Sequence, residues 1–211
     1  FISIKSTTGV DLTSTQKDNL VKDFAKVKVA SITPVIVDAE TTSLILGVNF
    51  NFDSSSTTST GAELASLINK TLQNFNTSDL QSFNKPFRYS KLLGLIDNTD
   101  SSILNNITTV TMAKKFTPTI GSSTSYNINF NNAVFNPESG YNASAGGVVA
   151  STGFFLNNVT TIEYFFDDDG AGNLRLYNLV SGVRTYNNNN AGTVDYVNGT
   201  IKINSINITA V

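Results

Sequence analysis

The sequence contains no cysteine and no histidine. Without cysteine there is no disulfide, no thiolate nucleophile and no sulfur ligand for zinc. Without histidine the commonest general base and the commonest transition-metal ligand are also missing. Most familiar catalytic constellations are excluded on these two counts, so no catalytic, cofactor-binding or metal-binding residue is assigned. Charge is scarce too: Asp, Glu, Lys and Arg make up 14% of the chain, against about a quarter in an average domain. Asn, Ser and Thr fill the gap. Fourteen basic and sixteen acidic residues leave a net charge of -2 with no basic run, so counterion release has little to act on and no nucleic-acid partner is expected. No apolar run approaches the roughly 20 residues that span a bilayer, and a soluble chain without a membrane partner is expected.

What is present is enough for a packed core. The 211 residues allow one or two domains that bury most of their unfolded surface without covalent staples. The chain opens inside an alternating segment at Phe1, with no charged leader before it, and reads as the later part of a longer polypeptide.

Ile2 and Ile4 alternate with polar residues as a first short strand, and Gly9-Val10-Asp11 forms a turn. Thr13 to Gln16 has the pattern of a capping box, opening a helix with Leu20, Val21, Phe24 and Val27 on one face and Lys17, Lys22 and Lys26 toward solvent. From Ser31 to Val37, and more clearly from Leu44 to Phe52, the period is two: Leu44, Leu46, Val48, Phe50 and Phe52 share one face. Thr60 to Glu63 repeats the capping box ahead of Leu64, Leu67, Ile68, Leu72 and Phe75. Ser90 is a candidate cap for a short helix through Leu92, Leu93 and Ile96, and a last alternating stretch runs from Ile107 to Met112. This order predicts an α+β fold, a ferredoxin-like split βαβ domain over residues 1–116 with two helices on one face of a four-stranded sheet.

Past Pro118 the helical pattern ends. Short alternating runs follow at Tyr126–Phe130, Val148–Val149, Ile162–Phe166, Leu174–Leu176, Val194–Tyr196 and Ile201–Ile203, with turn signals at Asp169-Gly170, Ser181-Gly182 and Asn198-Gly199. Residues 117–211 are therefore expected to form a small all-β domain, with residues 131–147 as its least regular loop.

Four places invite a functional reading. The run Asp167-Asp168-Asp169-Gly170 suggests a calcium loop, but the twelfth position, where such a loop places a bidentate Glu, holds Asn178, and an acidic hairpin turn fits better. Asp97 and Asp100 invite comparison with a glycosidase carboxylate pair, yet no cleft is defined and helix-end and turn roles are more natural. Arg88 and Tyr89, flanked by Phe87 and Lys91, read as a protein-interaction segment, because a guanidinium beside aromatic rings suits a partner surface. The competing reading pairs Arg88 with Asp97 or Asp100 and turns Tyr89 onto the core. The amides of Asn187 to Asn190 and Asn127 to Asn132 could face a sugar, and side-chain amides in loops also bond their own backbone. The Asn-x-Thr triplets at Asn69, Asn106 and Asn198 are what an Asn- and Thr-rich chain yields by chance.

Residues 84–103, NKPFRYSKLLGLIDNTDSSI, join an aromatic-basic entry, a short amphipathic helix and an acidic exit in one run. Together with SITPVIVDAETTSLIL, the helix after TGAEL, ITTVTM, DDDGAGNLRLY and AGTVDYVNGTIKI, in that order, the segment resembles wedge ring subunits of the baseplate of contractile-tailed bacteriophages, the baseplate J-like family. Ala39 stands where Pro is frequent in that family, and its long N-terminal bundling portion has no counterpart here. The resemblance implies a non-enzymatic structural subunit of the virion's tail baseplate, present in the host cytoplasm during assembly. It further implies homodimer pairing of like copies within the ring around the tail hub, contacts with other wedge proteins, and the sheath initiator as a further candidate partner. A carbohydrate- or receptor-binding module of a phage tail is the alternative, suggested by the Asn-rich stretches.

Overall fold

The computed structural model describes residues 1–6, 11–27, 29, 32–83 and 85–211. The turn expected at Gly9-Val10, Ser31 at the start of the second predicted strand, and Asn84 lie outside them. The chain divides into two compact units, Phe1–Thr111 and Met112–Val211, five residues earlier than the boundary expected after Phe116.

In the first unit, β1 (Ile2–Ile4) pairs in parallel with β2 (Ile36–Asp38), Ile2 opposite Ile36 and Ile4 opposite Asp38. A parallel pair needs a crossover, and α1 (Ser14–Ala25) supplies it. Its capping box is formed: the Thr13 hydroxyl accepts from the Gln16 N–H at 3.3 Å while the Gln16 carboxamide oxygen accepts from the Thr13 N–H at 2.9 Å. Leu20, Val21 and Phe24 are half-buried on the expected face. Val27 falls beyond the helix end and is 81% exposed, and Lys17, expected toward solvent, is half-buried and ion-paired with Asp38 at 2.6 Å.

The remainder of this unit is a second module. β3 (Ser43–Phe52) pairs with β4 (Ile103–Ala113); Gly47 meets Thr109, Asn51 meets Asn105 and the Asp53 N–H donates to the Ser102 carbonyl at 2.9 Å, an antiparallel run. The face of Leu46, Val48 and Phe50 packs on Ile68 and Phe75 of α2 (Gly61–Phe75) and on Leu92 and Ile96 of α3 (Tyr89–Asp97). Burying each such side chain contributes about 1.5–3 kcal/mol. Leu67, predicted on the same stripe, is 41% exposed. A single π turn, Asn76–Leu80, ends α2. α3 starts one residue before the expected cap: Arg88 is its N-cap, no side chain caps it, and Ser90 lies inside the helix. The strand and helix order is the one predicted, but the described strands form two separate two-stranded sheets, β1–β2 and β3–β4, in place of a single four-stranded sheet.

The second unit is all β. β5 (Ser123–Asn129), β6 (Phe154–Leu156), β7 (Val159–Asp168), β8 (Asn173–Val180), β9 (Val183–Asp195) and β10 (Thr200–Ala210) pair antiparallel. The circuit β10–β6–β7–β8–β9–β10 closes a five-stranded barrel, and β5 adds to β10. Phe154, Phe166, Leu174, Ile203 and Ile208 fill it. A bulge between Ile203 and Ile206 bends β10, which allows it to serve several neighbours. Ser181-Gly182 is the expected two-residue turn, with φ of 51° and 81°. Asn198-Gly199, predicted as another, belongs to a four-residue loop in which Asp195 accepts from the Asn198 N–H at 3.0 Å. Val148 and Val149 form no strand; an isolated antiparallel bridge next to them pairs Ala150 with Asp167.

Candidate functional site

The segment singled out from sequence is divided by the fold. Phe87 turns half-buried toward the core of the first unit. The Tyr89 hydroxyl donates to the Thr108 carbonyl at 2.6 Å, which ties the start of α3 to β4. Lys91 is ion-paired with Asp79 and stands 5.5 Å from the centre of the Phe75 ring. Arg88 is the exception: it is exposed on extended backbone, its carbonyl accepts from the Leu92 N–H at 3.2 Å, and among the described residues its side chain makes no hydrogen bond or ion pair. The pairings considered from sequence do not form, because Asp97 accepts from the Asn106 carboxamide at 2.7 Å and Asp100 from the Ser102 N–H at 2.8 Å and hydroxyl at 2.6 Å. Arg88, Lys85, Pro86 and Lys91 rim a shallow depression of about 240 Å³, with Phe75, Ser78 and Asp79 completing its wall. Hydrogen bonding by Lys91, then by Ser78, holds the Asp79 carboxyl below the usual carboxylate range.

The acidic run is a piece of scaffolding. Asp167 and Asp168 are 1% and 0% exposed. Asp167 accepts from Arg175 Nε at 2.9 Å, Arg184 Nη1 at 3.1 Å and the Tyr186 hydroxyl at 3.0 Å. One oxygen of Asp168 accepts from the N–H groups of Val148 and Val149 at 2.7 and 2.6 Å, the other from the Gly170 N–H at 3.1 Å and the Tyr196 hydroxyl at 2.6 Å. The chain passes so close that a Cβ on Gly147 would lie within 2.3 Å of this carboxylate. Arg175 also donates to the carbonyls of Ala143 and Asp168, at 2.8 and 2.9 Å. The loop ahead of β6 is thereby fastened to the barrel. Asp168 accepts four hydrogen bonds and Asp167 three, all from protein donors, so both carboxylates are spent on internal contacts. Sequence reasoning missed Arg175, Arg184, Tyr186 and Tyr196. A signal for one of them existed: a hairpin centred on Ala171 sets Asp167 opposite Arg175, as found.

The Asn-rich stretch at Asn187 to Asn190 lies exposed on β9. Part of it is occupied locally: the Asn188 carboxamide accepts from the Asn190 N–H at 2.8 Å, and the Asn190 carbonyl accepts from Asn204 at 3.1 Å. A second shallow depression, about 280 Å³, opens where β7 and β8 part beyond the Tyr164–Asn178 pair, between Ile162 and Leu179. Among the described residues no group of three acidic side chains is arranged to hold a metal ion, and no helix is long and apolar enough to cross a membrane.

Comparison with known proteins follows the same modular division. The model of the baseplate structural protein gp6, C-terminal domain I, matches residues 1–37, and that of its C-terminal domain III matches residues 44–115. The gap between the two matches falls between β2 and β3, where the two described sheets separate. Baseplate wedge protein gp6 of Enterobacteria phage T4 is 22% identical to the chain over 206 residues, which cover 90% of the chain and 30% of that relative. The chain therefore spans less than a third of the length of the curated relative it matches.

Proposed function

We propose, for a chain that belongs to the gp6 family of baseplate structural proteins and matches its C-terminal domains, that it serves as a structural subunit of a phage tail baseplate wedge. Its work is to associate with like copies and with neighbouring wedge proteins and so link wedges into the ring around the tail hub; it performs no chemistry. The sheath initiator is a further candidate neighbour. The observation that carries the reading is the ordered match to two C-terminal domain models across residues 1–115, joined to a relative that takes in nine-tenths of the chain. The use of Asp167 and Asp168 as internal fasteners supports it, as that cluster would otherwise be the most reactive group of side chains here.

Surface character supports association as well. The outer face of the β3–β4 pair exposes Ile45 and Ile107 at 59% and 69% among Asn, Ser, Thr and Gly, with no charged residue. A neutral, partly apolar face can meet an identical copy without charge repulsion. Light scattering at micromolar concentration, alone and with wedge proteins of the same phage, tests the proposal. Association in either setting is expected, and a strict monomer that ignores those partners overturns it.

A further inference from the structure

We propose that the depression between the end of α2 and the start of α3 binds the carboxylates of a short acidic segment from another subunit. The inference rests on reading residues 85–91 as a partner-facing surface and names the chemistry of what docks there. Lys85, Arg88 and Lys91 line it, with Asp79 as the only carboxylate among the described residues of its wall. Three cations against one carboxylate give this spot a charge of +2. The whole chain carries -2, so everything else sums to -4.

That contrast selects the ligand. The Arg88 side chain has no partner among the described residues, and its planar fork is built to take a carboxylate through two parallel hydrogen bonds. Lys91 is engaged by Asp79 on one side and keeps two ammonium hydrogens for another acceptor. Lys85 and Arg88 stand ahead of α3 and Lys91 in its first turn, a row of cations along the chain, and among the described residues no glycine-rich backbone cradle closes around a compact phosphate. A peptide presents carboxylates at intervals that such a row can meet one by one. A long nucleic acid gains little from three cations in a chain whose other charges sum to -4.

The test uses the intact chain, labelled with ¹⁵N, and four probes: a hexapeptide of alternating glutamate and glycine, its lysine counterpart, inorganic phosphate and a single-stranded oligothymidylate. The glutamate peptide is expected to shift amide resonances of residues 85–91 saturably, and more weakly at high salt. The double variant K85E/R88E is expected to lose about tenfold in affinity for it and to gain affinity for the lysine peptide, while its melting temperature stays that of the parent. Absence of shifts, shifts elsewhere, undiminished binding after charge reversal, or tighter binding of phosphate or oligonucleotide at the same residues would each overturn the inference. Assembly with wedge proteins separates it from the reading beneath it. Assembly blocked by K85E/R88E without any glutamate-peptide binding sinks the acidic ligand alone; saturable peptide binding with assembly undisturbed sinks the partner-facing role of the surface.

Discussion

Asp168 concentrates more of the second unit's order than any other side chain, because it accepts four hydrogen bonds while fully buried. Replacing it with Asn keeps the shape but turns an amide donor toward groups that are themselves donors. D168N is therefore expected to lose about 2–4 kcal/mol of unfolding free energy, read from urea denaturation; an unchanged midpoint would contradict the fastening role. The same contact sets an alkaline limit. Burial, and then its hydrogen bond to Asp168, raise the Tyr196 hydroxyl well above its ordinary value of 10.0. The folded state then keeps this proton to higher pH than the unfolded chain does, so unfolding releases a proton and stability falls as pH climbs past 10. In Y196F the drop in urea midpoint between pH 9 and pH 11 should shrink, though its midpoint at neutral pH will be lower for want of one donor to Asp168. At the acid end the sign reverses. Hydrogen bonds from Ser55, Ser102 and Asn198 hold Asp53, Asp100 and Asp195 below 3.8, and stability they contribute above that value is lost as pH falls beneath it.

Among the elements, α2 offers the most direct check of local physics. Thr60 and Glu63 exchange capping bonds at its N-terminus, the Glu63 N–H to the Thr60 hydroxyl at 3.3 Å and the Thr60 N–H to the Glu63 carboxylate at 2.7 Å. T60A should cost about 1 kcal/mol by thermal unfolding, and a cost near zero would mean that packing alone holds the helix. Such features were legible in the sequence because they are made by neighbours along the chain: both capping boxes, the period-two face of β3 and the Ser181-Gly182 turn. What was not legible depends on partners distant in sequence. Val148 and Val149 look like a strand, yet their consecutive N–H groups both donate to one Asp168 oxygen, whereas in a strand they would point in opposite directions. The 13-residue β9 contains four successive Asn residues of poor strand propensity and is held by its ladders to β8 and β10. At the candidate surface the sequence singled out residues 87–91 without showing that Tyr89 and Lys91 would be claimed by Thr108 and Asp79, or that Lys85 would join Arg88.

For the molecule as a whole, the low charge decides which force can drive association. A net charge of -2 spread over 211 residues gives weak repulsion between copies and equally weak attraction; at 0.1 M salt, interactions beyond about 10 Å are screened in any case. Apolar contact is not screened. Self-association measured by sedimentation equilibrium should therefore change little between low and high salt, in contrast to glutamate-peptide binding at Lys85 and Arg88. If the outer face of β3–β4 is the contact, two lysines placed there bring like charges together in every pair of copies. I45K/I107K should then weaken association by about tenfold or more, while both sites are exposed enough that unfolding free energy moves by no more than about 0.5 kcal/mol. Association unaffected by the two lysines would place the contact on another face, and association abolished by salt alone would replace apolar burial with ion pairing as its cause.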